Sequence, residues 1–298
     1  MSHVISPSSG RRYGVALVCA EWGVVRSSYY SVKAREQRPP GTLGRRGPKG
    51  CLSDEELTER IREVLAGSPF VGEGHRKAWA RLRVRGIRTS KGRCLRLMRQ
   101  AGLLSPGRPV RELGPRAHEG TIITERPNEM WGTDATTTWT SEEGQTTIFV
   151  AVDHCNHEGV GIHAAKVGNR FEALEPVRQG VRKYFGGFEQ GIAAGLRLRH
   201  DHGSQYMSDA FQEEIAFLGI ESSPAFVRAP EGNGCAERFI RTLKEQLLWV
   251  RTFRNVEELR IALHEWLKTY NEHWLIERHG YRSPAQVRRD WMALQEAA

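Results

Sequence analysis

The sequence predicts an α/β protein with a mixed five-stranded sheet flanked by helices and preceded by small all-α helix-turn-helix units. Two observations carry this prediction. Apolar residues recur at helical spacing up to residue 104, and from residue 129 they alternate with polar residues as strands do. The later elements follow in the order βββαβαβα, which forms a mixed sheet with helices on its faces.

The charge of the chain is divided between its two halves. Residues 1–116 contain 24 Lys and Arg against 9 Asp and Glu, whereas residues 117–298 contain 20 against 26. A basic front half followed by a mildly acidic back half suggests a polyanion-binding arm joined to a domain of another kind. Solvated helix faces would give the same bias without a partner.

Cysteine usage and hydropathy restrict the compartment. The five cysteines are far apart and form no CxxC pair, which is typical of reduced thiols in a cytosolic protein. The segment "DHCNH" at 153–157 lacks the second ligand cluster that a zinc site needs. No apolar run approaches the roughly 20 residues that span a bilayer. We therefore expect a soluble, cytoplasmic protein.

Composition divides the chain into helical units, linkers rich in Pro, Gly and Arg, and an alternating core. The predicted parts are a short helical or helix-turn-helix segment at 1–38, a linker at 39–50, a helix-turn-helix DNA-binding domain at 51–105, a linker at 106–127, a core at 128–250 and a helical extension at 251–298.

Residues 51–104 predict three short helices. Ser53 and Glu56 have capping-box spacing at the start of the first helix, and Ser90 is the predicted cap of the third. Three such helices with a basic last one are typical of helix-turn-helix DNA binding, although a solvated basic helix gives the same pattern. The cations that the third helix leaves for solvent or phosphate are Lys91, Arg93, Arg96 and Arg99.

The core begins with three strands joined by short turns, which predicts an antiparallel meander. These strands are expected at 129–139, 145–154 and 159–167. The elements that follow are a helix at 170–185, a strand at 196–201, a helix at 207–218, a strand at 220–224 and a helix at 234–250.

Three carboxylates stand at positions where such a sheet brings groups together. Asp134 lies in the first strand, Asp201 ends the fourth, and Glu237 lies in the first turns of the last core helix. If the first and fourth strands are neighbours, the two aspartates lie side by side and the helix aims the glutamate at both. Two carboxylates ~4 Å apart repel by roughly 4 kcal/mol at an effective dielectric of about 20. Either one is protonated, or a divalent cation lies between them.

The chemistry of the ligands narrows the choice of cation. Sites built from oxygen ligands alone favour Mg²⁺ or Mn²⁺ over zinc. Two such ions would activate an attacking oxygen and stabilise the leaving one in phosphodiester displacement. Arg241 and Lys244 share a helix face with Glu237, which suits a phosphate backbone nearby. An ordinary surface salt-bridge ladder has the same spacing.

These residues carry a family resemblance. The chain has "WGTD" at 131–134, "HDHGSQY" at 200–206, "GNGCAERF" at 232–239, and thirty-five residues between Asp201 and Glu237. In order and spacing this resembles the catalytic core of DDE transposases and retroviral-type integrases. The segment "YN…RHGYRSPAQV" and the preceding helix-turn-helix resemble the second-frame (OrfB) product of bacterial insertion sequences of the IS-three group.

The resemblance implies an RNase H-like fold, two Mg²⁺ (or Mn²⁺) ions, and DNA cleavage with strand transfer at the ends of a mobile element. Asp134, Asp201 and Glu237 match the catalytic, metal-binding triad. Lys244 matches the cation placed near the DNA end, and Asn233 matches the Asn ahead of the Glu. With Arg241 and the four cations of the third helix, these two are the predicted DNA contacts.

The resemblance also implies partners and leaves alternatives. It implies double-stranded DNA, both the terminal inverted repeats and the target, a homo-oligomer on paired ends, a first-frame (OrfA) partner and a bacterial, nucleoid-associated location. Asp153 matches an acidic position that we interpret as structural. A non-catalytic DNA-binding regulator that kept the fold is the alternative function, and a nuclease of RNA–DNA hybrids is a third.

Overall fold

The computed structural model describes residues 3–37, 52–105, 122–225 and 233–297. The predicted linker at 39–50 and most of the linker at 106–127 lie outside these ranges. The chain divides into two compact units, Met1–Leu52 and Ser53–Ala298. The first contains helices α1 (Val15–Glu21) and α2 (Arg26–Glu36), where the sequence predicts a helical start.

The second unit begins with the three predicted helices, α3 (Asp54–Ala66), α4 (His75–Val84) and α5 (Lys91–Gln100). The Ser53 hydroxyl accepts a bond from the backbone N–H of Glu56, whose side chain accepts one from the backbone N–H of Ser53, so the predicted capping box is present. Their shared core consists of Leu57, Ile61, Val64, Ala78, Leu82, Cys94, Leu97 and Met98.

The sheet has the strand order β3-β2-β1-β4-β5. Strands β1, β2 and β3 form the predicted antiparallel meander, whereas β4 runs parallel to β1 and β5 parallel to β4. The strand bounds are Met130–Thr140, Gly144–Asp153, Gly159–Ala165, Arg197–His200 and Glu221–Pro224.

Helices cover both faces of the sheet, and the alternation along β2 shows why. Ile148, Val150 and Val152 pack with helices α8 and α9 in one core, whereas Phe149 and Ala151 pack with α6 and α7 in the other. The helices are α6 (Arg170–Phe185), α7 (Asp209–Phe217), α8 (Gly234–Leu243), α9 (Val256–His273) and α10 (Pro284–Glu296). The architecture is RNase H-like, as the sequence predicts.

The last core helix departs from the prediction. A single helix is expected at 234–250, but the α-helix ends at Leu243 and continues as a π-helical turn over Lys244–Leu248. A π turn holds one extra residue per turn and has no sequence breaker to mark it. Within this turn the Gln246 amide pairs with the backbone of Val71 in both directions, at 2.9 and 3.0 Å.

The C-terminal segment contacts the three-helix unit. Phe70 packs edge-on against Trp274, with ring centroids 4.8 Å apart. Glu277 forms ion pairs with Arg76 at 2.7 Å and with Lys91 at 3.7 Å. The three-helix unit is thus held to the core through both apolar and charged contacts.

Candidate active site

The parallel pairing of β1 with β4 brings Asp134 and Asp201 to the same edge region. Gly132 is paired with Arg199, and each aspartate lies two residues further along its own chain segment. Since strand residues two apart point to the same face, the register extends to place the two carboxylates side by side. The expectation that the first and fourth strands are neighbours is therefore confirmed.

Glu237 reaches this edge because the start of α8 is tied to β1. Asn233, the residue before the helix, donates from Nδ2 to the carbonyl oxygen of Thr133 at 2.9 Å. Thr133 precedes Asp134, and Glu237 follows Asn233 by one helical turn. This single bond brings the first turn of the helix next to the aspartate.

The three carboxylates are electrostatically coupled. Burial, reinforced by the negative charges of Asp201 and Glu237, raises the pKa of Asp134 to about 6, although a bond from the Ala135 N–H and the Lys244 charge act the other way. Burial also raises the pKa of Glu237. Like charges that are partly buried disfavour ionisation in this way.

The three carboxylates do not form a ready-made chelate in the described part of the chain. Among the described residues, no group of three His, Cys, Asp or Glu side chains is placed to hold a metal ion. Asp201 uses Oδ1 to accept a bond from the Gly203 N–H at 2.7 Å, so it also closes the turn that ends its strand. Asp201 and Glu237 lie close enough to Asp134 to raise its pKa, but the three carboxylates do not surround a common point.

The histidine before Asp201 supports the strand end. His200 is fully buried, stacks on Tyr206, and lies 2.9 Å from the Ser222 hydroxyl of β5. Its other ring nitrogen lies 2.7 Å from the carbonyl oxygen of Asp201. These contacts fix the backbone on which Asp201 stands.

The predicted DNA contacts have diverse surroundings. Arg93 and Arg96 both pair with Asp54, at 2.7 and 2.8 Å. Lys91 lies over the Trp79 and Tyr281 rings as well as near Glu277. Arg99 is exposed on the last turn of α5. All four remain predictions as DNA contacts.

The predicted contacts on and before α8 also differ. Arg241 is exposed and bonds Glu245 at 3.0 Å, and Lys244 lies close enough to Asp134 to lower its pKa. Asn233 is buried and its amide nitrogen is used within the protein. All three remain predictions as DNA contacts.

The sequence reasoning missed a buried ion cluster at the C-terminal end of β2, three residues beyond the strand position opposite Asp134. Arg288 of α10 bonds Glu158 and lies 3.3 Å from Asp153, while the Tyr184 hydroxyl donates to Glu158. Asp153 was interpreted as structural, which agrees with this contact. No local pattern signals Arg288, because its partners lie 130 and 135 residues away.

Two further residues near the site carried no sequence signal of that role. Gly132 lies against His154 and Asn233, and His154 stood out only as part of the "DHCNH" segment.

A groove of about 1120 Å³ between the three-helix unit and α8 includes Arg238 and Arg278 but none of the three carboxylates. In the described residues, none of the helices is long and apolar enough to cross a membrane.

Comparison with known proteins yields relatives of one kind. A family model described as "Integrase core domain" matches residues 218–284. The chain is 27% identical to the transposase InsD for insertion element IS2A/D/F/H/I/K of Escherichia coli, over 94% of this chain and 92% of that protein. It is 27% identical to an uncharacterized 48.2 kDa protein of insertion element IS2A from the same species, and spans 66% of that longer protein.

Solved structures with a similar fold are retroviral integrases. The catalytic core domain of BIV integrase aligns with 57% of this chain and 99% of its own, at 20% identity and a TM-score of 0.40. The HTLV-2 integrase catalytic core domain in complex with magnesium aligns with 55% of this chain and 97% of its own, at 19% identity and a TM-score of 0.41.

The sheet order is that of an RNase H-like fold, and the family model described as "Integrase core domain" matches part of it. Similarity to insertion-sequence transposases extends over nearly the whole chain, at 27% identity. By fold and by similarity, the chain resembles DDE transposases of the insertion-sequence type.

Proposed function

We propose that Asp134, Asp201 and Glu237 are the catalytic and metal-binding residues of this transposase, which cuts and rejoins DNA at insertion-sequence ends. The observation that carries the proposal is the coupling of the three carboxylates across two strands and a helix. Burial and the two neighbouring charges raise the pKa of Asp134 to about 6. Groups of like charge gathered at a sheet edge are typical of a cation site.

The donor set fits Mg²⁺ or Mn²⁺, two ions per site, because it offers only carboxylate oxygens. No Arg or Lys of the described residues forms an ion pair with these three carboxylates, and the Lys244 charge offsets only part of their repulsion. When bound, the ions supply electrophilic stabilisation of the attacking and leaving oxygens. The spacing of the carboxylates must narrow for all three to share an ion.

The chain's own groups account for the rest of the reaction. The three carboxylates would hold the metal ions at the sheet edge. Lys244, about two turns further along the helix from Glu237, would neutralise phosphate charge beside the cut. Water would attack the first phosphodiester in line and release a 3′-hydroxyl at the element end and a 5′-phosphate on the flanking strand. That 3′-hydroxyl would then attack a target phosphodiester, displace the 3′-oxygen of the target strand and become joined to its 5′-phosphate. No covalent bond between protein and DNA is required.

The DNA itself is held by the basic front half and by α8. Lys91, Arg93, Arg96 and Arg99 of α5 serve the duplex, with Arg241 and Asn233 nearer the cut. The natural partners are the terminal inverted repeats and a target duplex, a second copy of the chain on the paired end, and a first-frame (OrfA) product. The similarity to InsD over most of both chains supports this assignment.

Strand transfer tests the proposal with duplexes that carry the ends of the element encoding the chain. Asp134→Asn, Asp201→Asn and Glu237→Gln should each reduce Mg²⁺-dependent strand transfer by at least about a hundredfold, while duplex binding survives. Asp209→Asn, an exposed carboxylate at the start of α7, is the matched control. Full activity in any of the three variants would refute the assignment.

Two more measurements separate the alternatives. A regulator without catalysis would bind the ends but release no 3′-hydroxyl product at any Mg²⁺ or Mn²⁺ concentration. A nuclease of RNA–DNA hybrids would degrade a hybrid faster than it cuts the duplex ends. Addition of Mn²⁺ should raise the melting temperature of the wild-type protein and leave that of Asp134→Asn unchanged, since a ligand that binds only the folded state stabilises it.

A further inference from the structure

Gly132, on β1 two residues before Asp134, has buried polar atoms against it. A methyl group at this glycine would lie 2.8 Å from Nε2 of His154 and 3.0 Å from Oδ1 of Asn233. The two side chains are only 8% and 6% exposed. Neither of these two atoms has a hydrogen-bond partner in the described part of the chain. Both atoms therefore crowd the space that a side chain at residue 132 would fill.

Asn233 links this space to the candidate catalytic helix. Its amide nitrogen donates to Thr133 at 2.9 Å, and Glu237 follows it by one turn. A single hydrogen bond would leave the amide group of Asn233 free to rotate about its acceptor, the carbonyl oxygen of Thr133. The Oδ1 atom and the His154 ring both border the space where Gly132 has no side chain, and this close packing restricts rotation of the amide.

We propose that Gly132 and His154 form a seat for Asn233 that sets the separation of Asp134 and Glu237. This inference rests on the proposed function in one respect, namely that the two carboxylates act together. All three members of the seat are positioning residues, since they act through Glu237. Asn233 then works inside the protein, and its contribution to DNA contact is secondary.

The seat predicts a specific pattern of damage and rescue. Gly132→Ala should push Asn233 and the start of α8 away from β1, because the new methyl group meets buried atoms from two elements. Groups that orient metal ligands typically change metal affinity by about 10- to 100-fold when they are altered. Isothermal titration calorimetry with Mn²⁺ should show a loss of this size, and a crystal structure should show a longer Cα–Cα distance between Asp134 and Glu237.

Rescue distinguishes crowding from general disruption of β1. Gly132→Ala combined with His154→Ala removes the ring that lies 2.8 Å from the new methyl group. The double variant should bind Mn²⁺ within about threefold of His154→Ala alone, since coupled residues are strongly non-additive. The inference is overturned if Gly132→Ala binds Mn²⁺ as the wild type does, or if adding Gly132→Ala to His154→Ala weakens Mn²⁺ binding as much as it does in the wild type.

Two matched controls lie away from the carboxylates. Gly168→Ala crowds the Thr147 side chain at 2.8 Å, the same closeness as at Gly132. Asn271→Ala removes a buried amide that bonds both backbone groups of Gly159 at 2.9 Å. Both should lower the melting temperature and leave Mn²⁺ affinity unchanged. If either control variant lost as much Mn²⁺ affinity as Gly132→Ala does, the loss would reflect general destabilisation of the fold, and the inference would be overturned.

The two readouts keep this inference separate from the proposed function. If the wild type takes up no Mn²⁺, the proposed metal site fails, and the distance between Asp134 and Glu237 in the crystal structures still decides the seat. If Gly132→Ala does not fold, Asn233→Ala replaces it, because it removes the Thr133 bond without crowding. That variant should show the same loss of Mn²⁺ affinity, and an unchanged affinity would overturn the inference.

Discussion

Two groups of carboxylates lie three residues apart along strands β1 and β2, and they differ in the positive charge that the protein places beside them. Asp153, opposite Trp131 in β1, shares the buried guanidinium of Arg288 with Glu158. Asp134, opposite Val150, has only Asp201 and Glu237 as close charged neighbours, apart from the more distant Lys244. The first group carries its counter-charge within the fold, and the second does not.

The pKa directions show part of this difference. Burial acts to raise the pKa of Glu158, but Arg288, the Tyr184 hydroxyl and Lys183 together outweigh it and hold the value below the ordinary one. At Asp153 burial outweighs Arg288, and the pKa is raised. At Asp134 burial and the neighbouring carboxylates act together and raise the pKa to about 6. A buried carboxylate with a built-in cation completes the fold, whereas one without a cation requires something from outside.

The largest effect is expected from Arg288→Met. Loss of the guanidinium leaves Asp153 buried without its ion-pair partner and leaves Glu158 with the exposed Lys183 at 3.6 Å, and breaking such a buried pair costs about 3–5 kcal/mol. Chemical denaturation should show this decrease in the free energy of unfolding. Arg289→Met is the control, because the neighbouring arginine forms a surface pair with Glu272 and should contribute at most about 1 kcal/mol. Equal effects at the two positions would contradict the distinction.

The next effect is a loss of stability in acid from a buried histidine pair. His157 and His279 lie 3.2 Å apart, and burial with the charge of Arg278 lowers their pKa values to about 3 and about 4. The unfolded chain therefore binds more protons below pH 6.5, so stability is complete above that pH and is lost as the pH falls toward 4. Each histidine contributes about 1.4 kcal/mol per pH unit in this window.

The slope of unfolding free energy against pH measures this effect. His279→Gln should reduce the slope between pH 6.5 and pH 4 by about half of the pair's contribution, because one of the two titrating rings is gone. His264→Gln, on the exposed face of α9, should leave the slope unchanged. A slope that does not respond to His279→Gln would show that the pair is not the source.

A smaller effect of opposite sign is expected at Asp134. In metal-free buffer at pH 7.5, Asp134→Asn should increase the free energy of unfolding by about 1–3 kcal/mol, because it removes a charge that the folded state disfavours. Asp153→Asn should decrease it, since Arg288 then loses a partner. Urea denaturation of both variants gives the two signs. A decrease in the free energy of unfolding of both variants would contradict the distinction between the two groups of carboxylates.

The smallest effect concerns the exposed charges that join α4 and α5 to the C-terminal segment. Glu277→Gln releases Arg76 and Lys91, so binding of a random-sequence duplex should tighten by about two- to tenfold at low salt. Fluorescence anisotropy over a salt series would also show a steeper salt dependence. Glu272→Gln on α9, which releases Arg289 of α10, is the matched control and should bind as the wild type does.

Much of the fold was predictable because its signals are local. Alternation along β2 predicted a strand that the structure bounds at Gly144 and Asp153, and Asn169 and Gly186 delimit a helix at the predicted residues 170–185. The pairing of β1 with β4 was the condition on which the predicted site depended, and the sheet contains it. The π turn after Leu243 was not predictable, since it leaves no mark on composition.

The site divides in the same way. Asp134, Asp201 and Glu237 could be singled out from their places at strand and helix ends, and their coupling in the structure agrees with that choice. Gly132 and Arg288 could not, because their roles depend on atoms more than a hundred residues away. Contacts between distant segments depend on the finished packing, which no short pattern encodes.

The reciprocal amide pairing of Gln246 with Val71 has a consequence for how the chain is joined together. The α-helix that begins at Gly234 and the π-helical turn after it form one continuous stretch, with Glu237 near its start and Gln246 near its end. The acidic edge and the Val71 segment of the three-helix unit are therefore attached to the same piece of backbone.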